Sequence, residues 1–240
     1  MPYASVARGH KAGGFNPTSP NGDQVYGSET TWSYEVGVKS GWLEDRVTLN
    51  VAGYDVDWSN LQLDVPNPQI PGRFFIANAG DATSRGVEVE LRGLVQPGWS
   101  VFSAFGYNDP HFDSGNMAQG QNVGGNVLPY APQNTWNVGS ELERDLGAGL
   151  TFYGRGELIG YGRYFYDATN AAHQASYFLA DFRLGLAGVR PIAWRVDGWM
   201  RNALGEDYIP LAFPFQLAPS GYVGEMGAPR TFGLTFTIGL

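Results

Sequence analysis

Three sets of residues in this chain have types and spacings that could do chemistry. Carboxylates occur two apart, Glu88 with Glu90 and Glu141 with Glu143, and two carboxyls on one face of a strand are the minimum that acid/base exchange requires. His10, His111 and His173 could bind a metal or carry a proton. Aromatic and basic side chains gather in two stretches: Arg163, Tyr164, Phe165, Tyr166 and His173 in the first, Phe213, Phe215 and Tyr222 in the second. Rings beside a guanidinium suit planar anionic ligands, through stacking and charge-assisted hydrogen bonds.

Spacing weakens the first two sets. The paired glutamates share a strand face, but the other strand-like segments carry polar residues at the same spacing, so they read as a polar wall and no catalytic residue is expected. The histidines lie far apart on expected outer loops and lack metal-ligand spacing, so solvated loop histidines are the default and no metal site is expected. No glycine-rich stretch follows a strand and opens a helix, which leaves no phosphate cradle and no expected cofactor. The aromatic and basic loop residues remain the candidate ligand-binding set; the competing reading is that their rings pack loop against loop.

The elements that must position these residues follow a rule stated by residues 74–107. From 84 to 94, strict alternation sets Val87, Val89 and Leu91 against Glu88, Glu90 and Arg92, a strand with one apolar and one charged face. A tight turn at 95–98 leads to a second run, 99–107, with Trp99, Val101, Phe105 and Tyr107 opposite Ser100, Ala104 and Gly106: an antiparallel hairpin with a dry side and a wet side. Alternation recurs at 31–42, 135–146, 150–161, 177–188, 193–202 and 231–240, with a short strand at 3–9. The longest strand signal is 46–65. Its apolar parity, Val47, Leu49 and Val51, shifts near Gly53 to Tyr54, Val56 and Trp58, and a glycine bulge is the expected cause. Gly- and Asn-rich loops are expected at 9–28, 108–133, 162–175 and 203–229, and short turns at 43–45, 95–98, 147–149 and 189–191.

Composition narrows the class. The chain has 34 Gly, 14% aromatics and only 16% charged residues, yet its mean hydropathy is -0.23, a mixture that suits strands shared between an apolar and a polar side. No apolar run approaches the roughly 18 to 20 residues of a membrane helix. The absence of cysteine excludes disulfides and thiolate metal sites, and a net charge of -8 argues against nucleic acid as a partner.

A soluble β-sandwich also alternates, and three regularities set it aside. The core of the apolar parity carries no charge, while the opposite parity carries Glu35, Lys39, Glu141, Arg155, Asp181 and Arg195 among others, as if opposite charges met across a polar lumen. Connections alternate short and long, as in outer-membrane barrels. Trp32, Trp42, Trp58, Trp99, Trp136 and Trp194 fall near strand ends, where membrane interfaces place aromatics. Strands of about ten residues rising about 3.3 Å each and tilted about 45° span roughly 23 Å, close to the apolar band of a bilayer. The expected fold is therefore all-β: an antiparallel transmembrane β-barrel of about ten strands in outer-membrane lipid.

Six segments in order carry a family resemblance. Tyr-Ala-Ser-Val-Ala-Arg-Gly-His-Lys-Ala-Gly-Gly-Phe-Asn at 3–16, Tyr-Glu-Val-Gly-Val-Lys at 34–39, Asn-Ala-Gly-Asp-Ala-Thr-Ser-Arg-Gly-Val-Glu-Val-Glu-Leu at 78–91, Leu-Pro-Tyr-Ala-Pro at 128–132, Arg-Asn-Ala-Leu-Gly-Glu-Asp-Tyr at 201–208 and Gly-Ala-Pro-Arg-Thr-Phe-Gly at 227–233 resemble the barrel of TonB-dependent outer-membrane receptors. The resemblance implies a barrel of about 22 strands with an N-terminal plug and an energy-coupling box, of which residues 1–240 would be a partial, C-terminal half without plug or signal peptide. It further implies uptake of ferric siderophores or a similar scarce solute, with the TonB energy-coupling complex engaged only through the missing N-terminal part. A self-contained ten-stranded barrel, acting as a passive pore or as an enzyme with its site on the rim, is the alternative. Leu240 stands where such barrels usually end in an aromatic. The first strand, 3–9, is shorter than the last, 231–240, so the chain alone is not expected to close, because unpaired edge groups are costly in hydrocarbon.

Overall fold

The strand signals pair in chain order. In the computed structural model, which describes residues 1–17, 24–67, 69–118, 120–189 and 191–239, ten strands form one antiparallel sheet. They are β1 (Pro2–Lys11), β2 (Glu29–Trp42), β3 (Val47–Ser59), β4 (Ala82–Gln96), β5 (Trp99–Phe112), β6 (Asn134–Gly147), β7 (Leu150–Tyr161), β8 (Tyr177–Gly188), β9 (Trp194–Arg201) and β10 (Thr231–Ile238). Each strand pairs with its neighbours in sequence, which leaves β1 and β10 at the two edges. No helix occurs among the described residues.

Period-two patterning fixes the register, because a one-residue slip would turn every side chain to the wrong face. Val38, Val51, Val89, Phe105 and Trp136 are successive cross-strand partners on one face, and Lys39, Asn50, Glu90, Ala104 and Asn137 on the other. Nothing among the described residues covers the first face: Leu234 is 82% and Phe232 76% exposed. An apolar surface of that extent is tolerable only against something equally apolar. At one end the strands are joined by tight turns. In one of these Gly98 has φ 79° and a Cβ there would sit 2.1 Å from the Glu143 carbonyl oxygen, so the turn requires glycine.

At the other end each of the five longer connections folds a small hairpin: Gly14–Phe15 with Val25–Tyr26, Gln62–Pro66 with Phe74–Asn78, Met117–Ala118 with Gln121–Asn122, Tyr164–Phe165 with His173–Gln174, and Leu211–Pro214 with Tyr222–Glu225. The buried core lies beneath these hairpins rather than along the sheet. One cluster joins Ala79, Ala82, Phe112, Ala118, Val123 and Leu128; a second joins Tyr164, Tyr166, Tyr177 and Ala212.

Several expectations are corrected. Residues 46–65 are not one strand, and Gly53 forms no bulge. It pairs with Val36 and Val87 in unbroken register, β3 ends at Ser59, and a left-handed Asn60 (φ 58°) turns the chain into a separate hairpin. The parity changes because β3 runs past the apolar band. Asp55 continues the face of Val51 and pairs with Arg85 at 2.8 Å, while Trp58 turns to the other face and packs against the loop core. β1 is longer than expected, since Gly9, His10 and Lys11 pair with Thr31, Thr30 and Glu29. At ten residues it exceeds the eight of β10, so the expected length mismatch is not found. His10 and His111 accordingly lie in strands, not loops. Charges on the polar face meet within the wall, not across it: Arg155 holds Glu141 and, at 2.7 Å, Glu157, while Arg195 holds the buried Asp197 at 2.7 Å. Leu240 and part of the 9–28 loop, residues 18–23, lie outside the described residues.

Candidate functional site

Outer hairpins from four connections converge on a cavity of about 740 Å³. The β3–β4 hairpin contributes Gln62, Leu63, Asp64, Val65 and Phe74, the β5–β6 connection Ala118, Gln121 and Tyr130, the β7–β8 hairpin Tyr166, Asp167 and Thr169, and the β9–β10 hairpin Leu211, Phe213 and Tyr222. The size is that of a small-ligand site, and its lining is mostly aromatic and aliphatic with a few polar groups.

Phenols anchor the loops to one another. Tyr166 and Tyr164 both donate to the Ile209 carbonyl, at 2.9 and 3.0 Å, Tyr130 donates to the Ala212 carbonyl, and Tyr222 donates to Asp167 Oδ2 at 2.8 Å. Asp167 also accepts the Thr169 amide at 2.8 Å, so it shapes its own turn as well as the contact. Asn170 clamps both backbone groups of Val127, at 2.9 and 2.8 Å, and thereby ties the β5–β6 and β7–β8 connections together. Phe74 meets Phe213 edge to face at 5.1 Å. Burial raises the phenol pKa of Tyr130, Tyr164, Tyr166 and Tyr222, that of Tyr166 to about 12; for Tyr222 the hydrogen bond to Asp167 adds to the effect.

Of the eight sequence-derived candidates, Tyr166, Phe213 and Tyr222 line this cavity. Tyr164 is buried behind it, edge-on to Tyr166 at 5.8 Å. Arg163, Phe165 and His173 cluster outside the lining, with the guanidinium over the Phe165 ring at 5.3 Å and the imidazole tilted edge-on to it at 5.8 Å. Phe215 is half-buried beside Gly72 and is not part of the lining. Sequence reasoning missed Tyr130, Asp167, Phe74 and the 62–66 segment. Tyr130 lies in the Leu-Pro-Tyr-Ala-Pro segment, and the Asn60 break was the one signal that 62–66 leaves the sheet. Among the described residues no group of three His, Asp or Glu is placed to hold a metal ion.

Comparison with known proteins gives one consistent result. The profile of the family described as TonB dependent receptor-like, beta-barrel matches residues 1–203. The ferric-pyoverdine 358 receptor of Pseudomonas putida is 30% identical over 213 residues, 85% of this chain and 23% of that protein. The pesticin receptor of Yersinia pestis is 25% identical over 244 residues, 99% of this chain and 32% of that protein. Among solved structures, the ferric yersiniabactin uptake receptor of Yersinia pestis superposes with a TM-score of 0.82 at 22% identity, covering 98% of this chain and 34% of that one. The chain thus spans about a quarter to a third of the length of the curated relatives it matches.

Proposed function

Because the chain belongs to the TonB-dependent receptor β-barrel family, whose members lie in the outer membrane, we propose that it supplies part of the barrel wall and of the ligand cavity of a receptor importing iron–siderophore complexes or a similar scarce solute. Residues 1–240 are read as one partial barrel domain. The apolar face bounds lipid and the charged face the lumen. Energy coupling to the TonB complex is assigned to receptor segments other than this one. The observation that carries the reading is the aromatic cavity of about 740 Å³ at the hairpin end of the sheet.

Catalysis has no part in this reading. Asp167, the carboxylate most closely engaged at the cavity, is taken up by Tyr222 and the Thr169 amide rather than aligned with a nucleophile. A passive pore would require β1 and β10 to join, and no pairing between them is present among the described residues.

The test is radioactive iron uptake by a strain stripped of its own ferric receptors and supplied with the whole protein that carries this chain. Uptake is expected to saturate and to stop when the inner membrane is de-energised. Phe213→Ala is expected to weaken half-saturation about tenfold, the effect of losing a well-packed aromatic anchor. Uptake proportional to concentration and indifferent to energisation would instead identify a pore.

A further inference from the structure

We infer that the outer cavity selects a ligand of neutral or positive charge that donates hydrogen bonds, and discriminates against a polyanionic catecholate complex. The inference rests on the receptor reading above and narrows its substrate class. No Lys, Arg or His is among the described residues that line the cavity, whereas two carboxylates, Asp64 and Asp167, are. Arg163, the cation that the sequence offered for an anionic ligand, is stacked on Phe165 outside the lining.

The hydrogen-bond inventory points the same way. The side-chain protons of the wall are already committed: Tyr130 to Ala212, Tyr166 to Ile209, Tyr222 and Thr169 to Asp167. Gln62 is 7% exposed, and its Nε2 is held by the Ala12 and Gly27 carbonyls at 3.1 and 2.9 Å, while its Oε1 accepts nothing. Asp64 is exposed and has neither hydrogen bond nor ion pair among the described residues. Apart from the Gln121 amide, the side chains of the wall thus offer lone pairs and ring faces but few protons. An anion brought here would lose its water and gain no charge-assisted bond in return. An ammonium or amide N–H would meet the Asp64 carboxylate and the rings of Phe74 and Phe213, whose faces attract cations.

The test measures equilibrium binding to outer-membrane vesicles carrying the whole receptor, by quenching of tryptophan fluorescence, with three ferric chelates. These are ferrioxamine B, a trihydroxamate with a pendant ammonium; its neutral N-acetyl derivative; and the trianionic ferric tris-catecholate of enterobactin. The cationic chelate is expected to bind at least as tightly as the neutral one, and the trianion weakest. Asp64→Lys is expected to weaken the cationic chelate about fivefold, the scale of an exposed ion pair, and to strengthen the trianion; Asp64→Asn is expected to give the intermediate value. Tightest binding of the trianion, or an unchanged order in Asp64→Lys, overturns the inference and leaves the receptor reading standing. Binding of none of the three overturns the inference, and the receptor reading is then decided by the uptake experiment above.

Discussion

Tyr166 shows how burial of a single phenol writes a pH limit into the site. Its pKa is raised to about 12, mainly by burial, and that of Tyr222 is raised as well, whereas an ordinary tyrosine ionises near about 10. The folded protein holds these protons more tightly than the unfolded chain. Their contribution to stability is therefore complete below pH about 10 and is lost as pH rises from there toward the folded value. Limited proteolysis across that window is expected to cut the outer hairpins from pH about 10 upward while the sheet resists, with phenolate absorbance lagging behind that of free tyrosine. At this scale the sequence was partly legible. Rings in outer loops could be read, but a cavity assembled from loops some 150 positions apart, from Leu63 to Phe213, leaves no local pattern. Arg163 misled because hairpin alternation puts Tyr164 and Tyr166 on one side and Phe165 on the other, and the guanidinium follows Phe165.

Among elements, the sheet strands were the most legible because a half-buried strand repeats every two residues. The pattern failed where β3 leaves the apolar band: Leu63 and Val65 continue to alternate with Gln62 and Asp64, so the hairpin looked like more of the same strand. The turn between β2 and β3 was placed correctly, but its strain was invisible. Leu43, Glu44 and Asp45 all have left-handed backbones, with φ of 55°, 59° and 61°, a conformation that costs a residue with a Cβ about 1–2 kcal/mol. Part of that cost is recovered by glycine, less the entropy glycine adds to the unfolded chain. Glu44→Gly, at an exposed position, is expected to stabilise the protein by about 0.5–1 kcal/mol, read as a higher denaturant midpoint in lipid vesicles. A lower midpoint would mean that the Glu44 side chain contributes something the geometry does not show.

For the whole molecule, the two faces make opposite demands at adjacent positions. Val89 lies midway along β4 between Val51 and Phe105 on the apolar face, and Glu90 accepts a hydrogen bond from Asn50 at 3.1 Å on the polar one. Val89→Arg is expected to cost about 2–4 kcal/mol in reversible folding into lipid, and Glu90→Arg less than about 1 kcal/mol. Equal costs would contradict the assignment of faces. The same two-sided wall bears on how such a receptor could be re-engineered. Three of its surface loops share their anchors: Tyr130 from one and Tyr164 and Tyr166 from a second bond to Ile209 and Ala212 of a third. A graft that exchanged one loop alone would strand these phenols or their carbonyl partners, whereas the short turns at the opposite end are untouched by any exchange. With residues 60–81, which the Phe74–Phe213 contact and the core shared by Ala79 and Ala118 tie to them, residues 113–133, 162–176 and 202–230 therefore form one heritable cassette, to be transplanted between scaffolds together or not at all.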